Sequence, residues 1–294
     1  MVGDKGVKKF LVICLFLLPN FAGFIFFIGI PIFASFGLSF TEWDLISDPS
    51  WIGLENYKAL LHDEEFKAAL VHTLYFIVGY LPLVMTGALA IALILNKKIK
   101  GRVFFRAAYF VPVITSWVAV SLIWKWLFNP TYGLINYGLS LIGVAGPAWL
   151  QDPTWAMPAI ILTSVWKDLG FVMVIYLAGL QGISPTFYEA ADMDGASPTQ
   201  KFRHITLPLL SSTTFFVLII SLINSFQVFD QVMIMTGGGP AGSTSVLVER
   251  IYKHAFEYYE MGYASAVSWV LFFIIFIVTV IQMKFQKRWV DYGN

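Results

Sequence analysis

The sequence contains few cysteines and few charged residues. Cys14 is its one cysteine in 294 residues, which excludes a disulfide framework and a metal site built from several cysteines. Only 13% of the residues are charged, whereas 58% are hydrophobic. A soluble globule of this length would lack the polar surface needed to cover itself. We therefore expect a protein embedded in a lipid bilayer.

The sequence also lacks the motifs of common nucleotide, metal and catalytic sites. No G-x-x-x-x-G-K-[S/T] occurs, so ATP would have to be bound by another polypeptide. The four histidines lie in separate segments and form no His-x-x-x-His pair. Gly237, Gly239 and Gly242 fit G-x-G-x-x-G, but they follow an apolar segment and not a strand, which predicts a flexible loop. We expect no enzyme activity, no bound metal and no cofactor in this chain. The scattered Lys and Arg residues predict no nucleic-acid partner.

Long uncharged runs predict an all-α, polytopic membrane protein with six transmembrane helices. Five runs can each supply the roughly 18 to 20 apolar residues that a helix needs to cross a bilayer: 10–40, 68–96, 107–124, 204–229 and 261–283. A sixth span contains Lys167 and Asp168, whose charges should face other helices or water. We predict one transmembrane domain over 1–294, with helices near 10–33, 70–95, 107–128, 155–181, 208–236 and 261–284.

Basic residues predict the orientation of these spans. Thirteen Lys and Arg residues lie on the face that carries both termini, among them Lys98, Lys287 and Arg288, and four lie on the other face. The positive-inside rule makes the thirteen-charge face cytoplasmic, so both termini are cytoplasmic. Lysines before the first apolar run are also typical of a cleaved signal peptide, but a run of 31 uncharged residues favours a retained helix.

A polar segment between two predicted spans, residues 184–208, is here called the elbow. Two Ser-Pro pairs, at 184–185 and 197–198, each place a capping hydroxyl before a proline at the first helical position. Gln200 follows Ser197 by three residues and completes a capping box. Gly195 stands where a left-handed residue would end the first helix. The elbow should therefore fold as two short helices joined by a sharp turn at the membrane surface.

The elbow resembles the Glu-Ala-Ala loop in permease subunits of binding-protein-dependent ABC importers. The residues that carry the resemblance are Glu189, Ala190, Ala191, Asp194, Gly195, Ala196, Ile205, Leu207 and Pro208. In that family the loop is a coupling helix that docks on an ATPase, which makes Glu189 the expected polar contact and Gly195 the turn. The resemblance implies the type I ABC importer permease fold, a second and non-identical permease subunit, and an extracytoplasmic solute-binding protein. It also implies two ATPase subunits, which would bind ATP and Mg.

One predicted membrane helix has polar residues along one face, at positions i, i+3, i+4 and i+7: Ser221, Asn224, Ser225 and Val228. Such residues serve either helix–helix hydrogen bonding or substrate contact. The resemblance favours substrate contact, because in the family this helix and the preceding span line a central cavity. On the preceding span it points to Asp168 and Phe171, with Lys167 neutralised by Asp168.

The predicted substrate is a carbohydrate. An aromatic ring beside amide and carboxylate groups suits a sugar, and no cluster of Lys or Arg converges at mid-membrane, as an anionic substrate would require. This favours a neutral carbohydrate or polyol over glycerol phosphate or another phosphorylated solute. The segment from Phe40 to Tyr57 also resembles the start of sugar-type permeases. The expected location is the bacterial inner membrane. A self-sufficient secondary transporter or channel is the alternative, although no internal repeat supports it.

Outside the membrane, the segment 51–70 has apolar residues at near-helical spacing: Leu54, Tyr57, Leu61, Phe66 and Leu70. This pattern predicts one amphipathic helix that lies along the membrane surface. Its role is either that of a tethering loop or, by the resemblance, that of a surface for the binding protein.

Overall fold

The computed structural model describes residues 3–97 and 99–286. Lys98, Lys287 and Arg288, used above for the orientation, lie outside the described residues. Helices make up most of the described chain, and a short antiparallel ladder pairs Thr41–Glu42 (β1) with Ser50–Trp51 (β2). The predicted all-α class is confirmed.

The helices follow one another along the chain as α1 Gly3–Phe24, α2 Ile30–Leu38, α3 Glu55–His62, α4 Glu64–Asn96, α5 Arg102–Ile114, α6 Trp117–Leu127, α7 Leu134–Leu141, α8 Pro153–Gly182, α9 Pro185–Met193, α10 Pro198–Lys201, α11 Leu207–Leu209, α12 Ser211–Phe226, α13 Asp230–Met235, α14 Leu247–Tyr252 and α15 Met261–Gln286. Short π-helical turns occupy Ile25–Gly29, Phe202–Thr206 and Lys253–Glu257, and a 3-10 turn occupies Trp149–Gln151.

In the described residues, four helical segments are long and apolar enough to cross a membrane: Lys8–Leu38, Glu64–Asn96, Pro153–Gly182 and Met261–Gln286. The number rises to six if each of two bent helix pairs counts as one span. These four segments contain the helices predicted near 10–33, 70–95, 155–181 and 261–284.

The other two predicted spans are bent rather than straight. The span predicted over 107–128 is α5 followed by α6, bent by 100°. The bend follows from local chemistry, because the Ser116 hydroxyl accepts a hydrogen bond from the Val118 N–H and so caps a new helix. The span predicted over 208–236 is also interrupted: the chain bends by 62° before α12, and α12 ends at Phe226, ahead of α13.

The chain divides into two compact units. Unit 1 comprises Met1–Asp63 and Ile251–Val270, and unit 2 comprises Glu64–Arg250 and Leu271–Asn294. Whether the chain acts as the single domain predicted over 1–294 remains a prediction.

In unit 2, α4 and α8 form the centre of the core. Phe76, Tyr80, Val84, Ala88 and Ala92 recur at every fourth residue of α4 and expose 4% of their surface or less. This spacing puts them on one face, and the small side chains at 88 and 92 allow close helix packing. From α8, the same core receives Met157, Ile160, Met173, Tyr176 and Leu180.

Helix α5 approaches α8 at a glycine. A Cβ atom built on Gly170 would lie 1.9 Å from the carbonyl oxygen of Tyr109, a separation that no real side chain tolerates. Glycine is therefore required at this helix contact. It is required because a larger side chain would not fit, and not because of its backbone conformation.

In unit 1, the segment after α2 is held by a buried amide. Asn56 Nδ2 donates hydrogen bonds to the carbonyl oxygens of Ser39, at 3.0 Å, and Thr41, at 2.9 Å. The amphipathic helix predicted over 51–70 is divided in two: α3 covers Glu55–His62, Asp63 has extended backbone angles, and Phe66 and Leu70 belong to α4. Leu54 and Leu61 are exposed, whereas Asn56 and Leu60 are the buried residues of α3.

Candidate functional site

A cavity of about 480 Å³ opens in unit 2 beside α4, α8, α12 and α13. Its described lining includes four of the six residues predicted for substrate contact: Asp168, Asn224, Ser225 and Val228. Gln227 and Asp230 line it as well. Amides, carboxylates and a hydroxyl from separate segments thus converge on one space, as the sequence pattern predicts.

The other two predicted residues, Ser221 and Phe171, are not part of that lining in the described chain. The carbonyl oxygen of Ser221 accepts a hydrogen bond from Ser225 Oγ at 2.5 Å, so this contact serves the internal bonding of α12. Val228 lines the cavity, but not as part of the helix face on which it was predicted to lie. Because α12 ends at Phe226, Val228 follows the helix and does not continue its polar face.

Aromatic rings line the cavity, but they come from other segments than predicted. Phe76 and Tyr80 of α4 stack with ring centroids 5.3 Å apart, and Trp117 begins α6. All three rings border the cavity. The hydroxyl of a tyrosine in an otherwise apolar run needs a hydrogen-bond partner. This feature of the sequence could have identified Tyr80 as a candidate residue of the site.

The partner of Tyr80 is Asp168. The tyrosine hydroxyl donates a hydrogen bond to Asp168 Oδ2 at 2.9 Å. This contact joins α4 to α8 at the cavity wall and fixes the orientation of the carboxylate. A hydrogen bond to an ionised acceptor is one of the stronger polar contacts in proteins.

Lys167 is buried, with 5% of its surface exposed, which agrees with the expectation that its charge avoids lipid. The charge of the adjacent Asp168, which was predicted to neutralise it, interacts with Lys167, and Lys167 has two further partners. Lys167 Nζ donates a hydrogen bond to the carbonyl oxygen of Val113 at 3.2 Å and lies 4.6 Å from the centroid of the Trp117 ring. Successive residues of a helix are about 100° apart around its axis. Lys167 therefore contacts Val113, whereas Asp168 contacts Tyr80.

Gln231 completes the polar wall. Its Nε2 donates a hydrogen bond to Ser164 Oγ of α8 at 3.2 Å, and the residue is buried. Sequence reasoning missed this contact, because the two residues are 67 positions apart. Among the described residues that line the cavity, none is Lys or Arg.

The elbow has the structure that its sequence predicts. Ser197 Oγ accepts a hydrogen bond from the Gln200 N–H, and Gln200 Oε1 accepts one from the Ser197 N–H at 2.7 Å, so both bonds of the capping box form. Gly195 has a φ of 72°, the left-handed conformation that ends α9. Tyr188 Oη lies 3.0 Å from Thr206 Oγ1 and connects the two parts of the elbow.

The elbow presents both charge and apolar surface. Glu189, Ala190 and Asp194 are exposed, and an ion pair joins Asp192 to Lys201. Phe187 and Met193 expose 51% and 90% of their surface. The predicted coupling residues are therefore accessible on one short helix and its turn; Ala191 and Ala196 are partly exposed, and Leu207 and Pro208 begin the return toward α12.

Helix α8 enters the elbow and α12 leaves it, and these two helices meet closely near that end. A Cβ atom on Gly179 would lie 2.4 Å from Thr213 Oγ1 and 2.8 Å from Leu210 Cδ1. Residues 3–97 and 99–286 contain no group of three or more His, Cys, Asp or Glu residues that could hold a metal ion.

Comparisons with known proteins give consistent results. The family described as "Binding-protein-dependent transport system inner membrane component" matches residues 84–291. A probable ABC transporter permease protein of Bacillus subtilis, YesP, is 39% identical over 95% of this chain and 91% of its own length. The trehalose/maltose transport system permease protein MalF of Thermococcus litoralis is 35% identical, over 92% of both chains.

Solved structures agree with the fold. A chain of a bacterial ABC transporter involved in the import of the acidic polysaccharide alginate matches with a TM-score of 0.86 and 26% identity, over 98% of this chain and 99% of the other. An alginate transporter in complex with a pentasaccharide-bound periplasmic protein matches with a TM-score of 0.84 and 24% identity, over 99% of each chain. The second likeness concerns the fold alone.

Proposed function

Since the chain belongs to the family of binding-protein-dependent transport system inner membrane components, we propose that it is the permease subunit of an ATP-driven importer for a neutral carbohydrate or polyol. The observation that carries this proposal is the elbow, an exposed and well-capped pair of helices that directly joins two walls of a polar cavity. It is an inner membrane component with several apolar helices, and we assign both termini and the elbow to the cytoplasm.

The chemistry of the cavity supports a carbohydrate. Phe76, Tyr80 and Trp117 supply flat apolar faces for the C–H surface of a sugar ring, while Asn224 and Asp168 supply acceptors and donors for its hydroxyls. Two carboxylates, Asp168 and Asp230, would repel an anionic solute. This argues against glycerol phosphate or another phosphorylated solute. The relatives that are named as sugar permeases support the same class of substrate.

The proposed mechanism couples the cavity to a partner motor. Two ATPase subunits bind ATP and Mg, and their closure displaces the elbow through Glu189 and the apolar side chains beside it. Because α8 and α12 continue from either end of the elbow, the displacement moves two cavity walls. A second, non-identical permease subunit supplies the other half of the pore, and an extracytoplasmic solute-binding protein delivers the carbohydrate.

The alternative, a self-sufficient secondary transporter or channel, gives no role to the exposed apolar residues of the elbow. Phe187 and Met193 would face water there without a partner surface. The two proposals differ in one measurable property, which is the source of energy for uphill uptake.

The test is uptake by proteoliposomes that hold either the complete assembly or this chain alone. The complete assembly should accumulate carbohydrate only with ATP, and Glu189→Lys should abolish accumulation while the protein still inserts. Asp48→Lys, at another exposed carboxylate, is the matched control and should leave uptake unchanged. Uphill accumulation by this chain alone, without ATPase subunits, would refute the proposal.

A further inference from the structure

The bend between α5 and α6 leaves a backbone carbonyl that needs a donor. The carbonyl oxygens in the last turn of a helix lack partners within the helix, and Val113 lies in the last turn of α5, just before the chain bends by 100°. Lys167 Nζ supplies a donor from α8, at 3.2 Å from the Val113 oxygen. The bend is thus held by a side chain of a neighbouring helix.

The same ammonium group lies against a ring of the cavity. Lys167 Nζ is 4.6 Å from the centroid of the Trp117 ring, within the range of a cation–π contact. Trp117 is the first residue of α6 and borders the cavity, whereas Lys167 is not part of that lining in the described chain. Lys167 therefore acts on the cavity through the ring and not by direct contact.

The close packing of α5 on α8 fixes the position of Lys167 relative to the bend. A Cβ atom built on Gly170, one turn after Lys167, would lie 3.1 Å from Val113 Cγ2. Val113 precedes the bend and Trp117 follows it, so the lysine contacts both sides. These two contacts restrict the rotation of α6 relative to α5, and with it the direction of the Trp117 ring.

A structural contact between α8 and α5 does not by itself require a charge. Lys167 exposes 5% of its surface, and an ammonium group inside a membrane-spanning helix costs free energy unless it faces suitable partners. An apolar side chain of similar length would fill the same space without that cost. It could not donate a hydrogen bond to the Val113 carbonyl or place a cation beside the Trp117 ring.

We propose that Lys167 is a positioning residue of the transport site, which holds the Trp117 ring at the angle that a sugar ring needs for stacking. The C–H face of a sugar packs on a flat aromatic surface, so a rotated ring would lose much of that contact. Carbohydrate would then bind less well in the cavity, while the elbow would be unchanged. The inference rests on the proposed function, because that function places a carbohydrate in the cavity.

The test is uptake by the complete assembly in proteoliposomes, measured beside ATP hydrolysis stimulated by loaded binding protein. The probe is whichever of radiolabelled glucose, maltose and trehalose shows the highest ATP-dependent uptake. Lys167→Met keeps the length of the side chain but removes the donor and the charge, so the number of sugar molecules imported per ATP should fall about tenfold. Lys167→Arg keeps both and should restore most of this ratio.

A double-mutant cycle separates positioning from a general structural role. In a Trp117→Leu background, where the ring is already absent, Lys167→Met should lower the ratio by less than about twofold. The matched control is Lys125→Met, because Lys125 Nζ also donates to a backbone carbonyl at 3.2 Å but lies outside the described cavity lining. This control should leave the ratio unchanged.

A spectroscopic measurement reports on the ring without uptake. In an assembly labelled with fluorotryptophan, the fluorine resonance of Trp117 is identified by its absence in Trp117→Phe. It should shift in Lys167→Met and stay in place in Lys125→Met. If Lys167→Met does not assemble, Lys167→Gln, which keeps a donor but loses the charge, takes its place in every comparison.

Two results would overturn the inference: an unchanged Trp117 resonance in the Lys167 variant, or an equal fall in the import ratio with and without the Trp117 ring. Failure of the unmodified assembly to import any carbohydrate with ATP would instead refute the proposed function. The Trp117 resonance would still show in that case whether Lys167 sets the position of the ring.

Discussion

The hydrogen bond between Tyr80 and Asp168 offers a direct test of the cavity. Tyr80→Phe removes only the hydroxyl and keeps the ring that stacks on Phe76. A hydrogen bond to a charged acceptor contributes about 1.5–3 kcal/mol. Because water in the cavity can replace the lost donor, the cost should lie near the lower limit, about 1.5 kcal/mol, which corresponds to roughly a tenfold effect.

The assay is carbohydrate uptake by the complete assembly in proteoliposomes, measured beside ATP hydrolysis stimulated by loaded binding protein. Since Tyr80 orients a cavity carboxylate and does not contact the elbow, the maximal uptake rate should fall about tenfold while stimulated ATP hydrolysis is retained. The number of molecules imported per ATP should fall accordingly.

The matched control is Tyr75→Phe, at an exposed tyrosine of the same helix outside the cavity lining, and it should behave as the unmodified protein. Uptake by Tyr80→Phe within twofold of normal would refute the view that the Tyr80–Asp168 pair shapes the transport site.

Three further predictions concern the elbow, the core and the β1–β2 segment. At Gly195, whose φ is 72°, Gly195→Val should cost about 1–2 kcal/mol in the elbow and reduce uptake, whereas Gly195→Asn, which tolerates this conformation, should retain most of it. Gly170→Ala, whose Cβ would contact the Tyr109 carbonyl, should lower the Tm of the detergent-solubilised protein; Gly182→Ala, with open space around it, should lower Tm much less. Because hydrogen bonds from the N–H and the hydroxyl of Ser47 and from the Ile46 N–H lower the pKa of Asp44 from 3.8 to about 2, its contribution to the β1–β2 segment is present above pH 3.8 and is lost as the pH falls toward 2. Hydrogen exchange in that segment should therefore rise over this range, and Asp44→Asn should remove the dependence.

The elbow could be predicted from the sequence because its structure is determined locally. Ser197 and Gln200 are three residues apart, and the capping box they form needs no distant partner. Gly195 adopts the predicted left-handed turn for the same reason. Two caps and one turn residue specify the whole element.

The bends inside the spans and the pairing in the cavity could not be predicted in this way. Hydropathy treats Ser116 as one small polar residue in an uncharged run, yet its hydroxyl caps a new helix and the span bends there. Tyr80 and Asp168 are 88 positions apart, so only the packing of α4 against α8 brings them together. Asn224 and Ser225 were singled out because polar residues in an apolar segment are recognisable without their partners, and Asp168 was added because the family resemblance places a cavity wall on the preceding span.

The direct continuation of α8 into the elbow has a consequence for insertions. Asp168 precedes the last residue of α8 by 14 positions, a rise of about 21 Å along the helix axis. A single residue added between Asp168 and Gly182 would change the helical phase by about 100°. The carboxylate would then face a different neighbour while the elbow kept its own structure. The length of this helix, and not only its composition, is therefore fixed by the need to keep both of its ends in register.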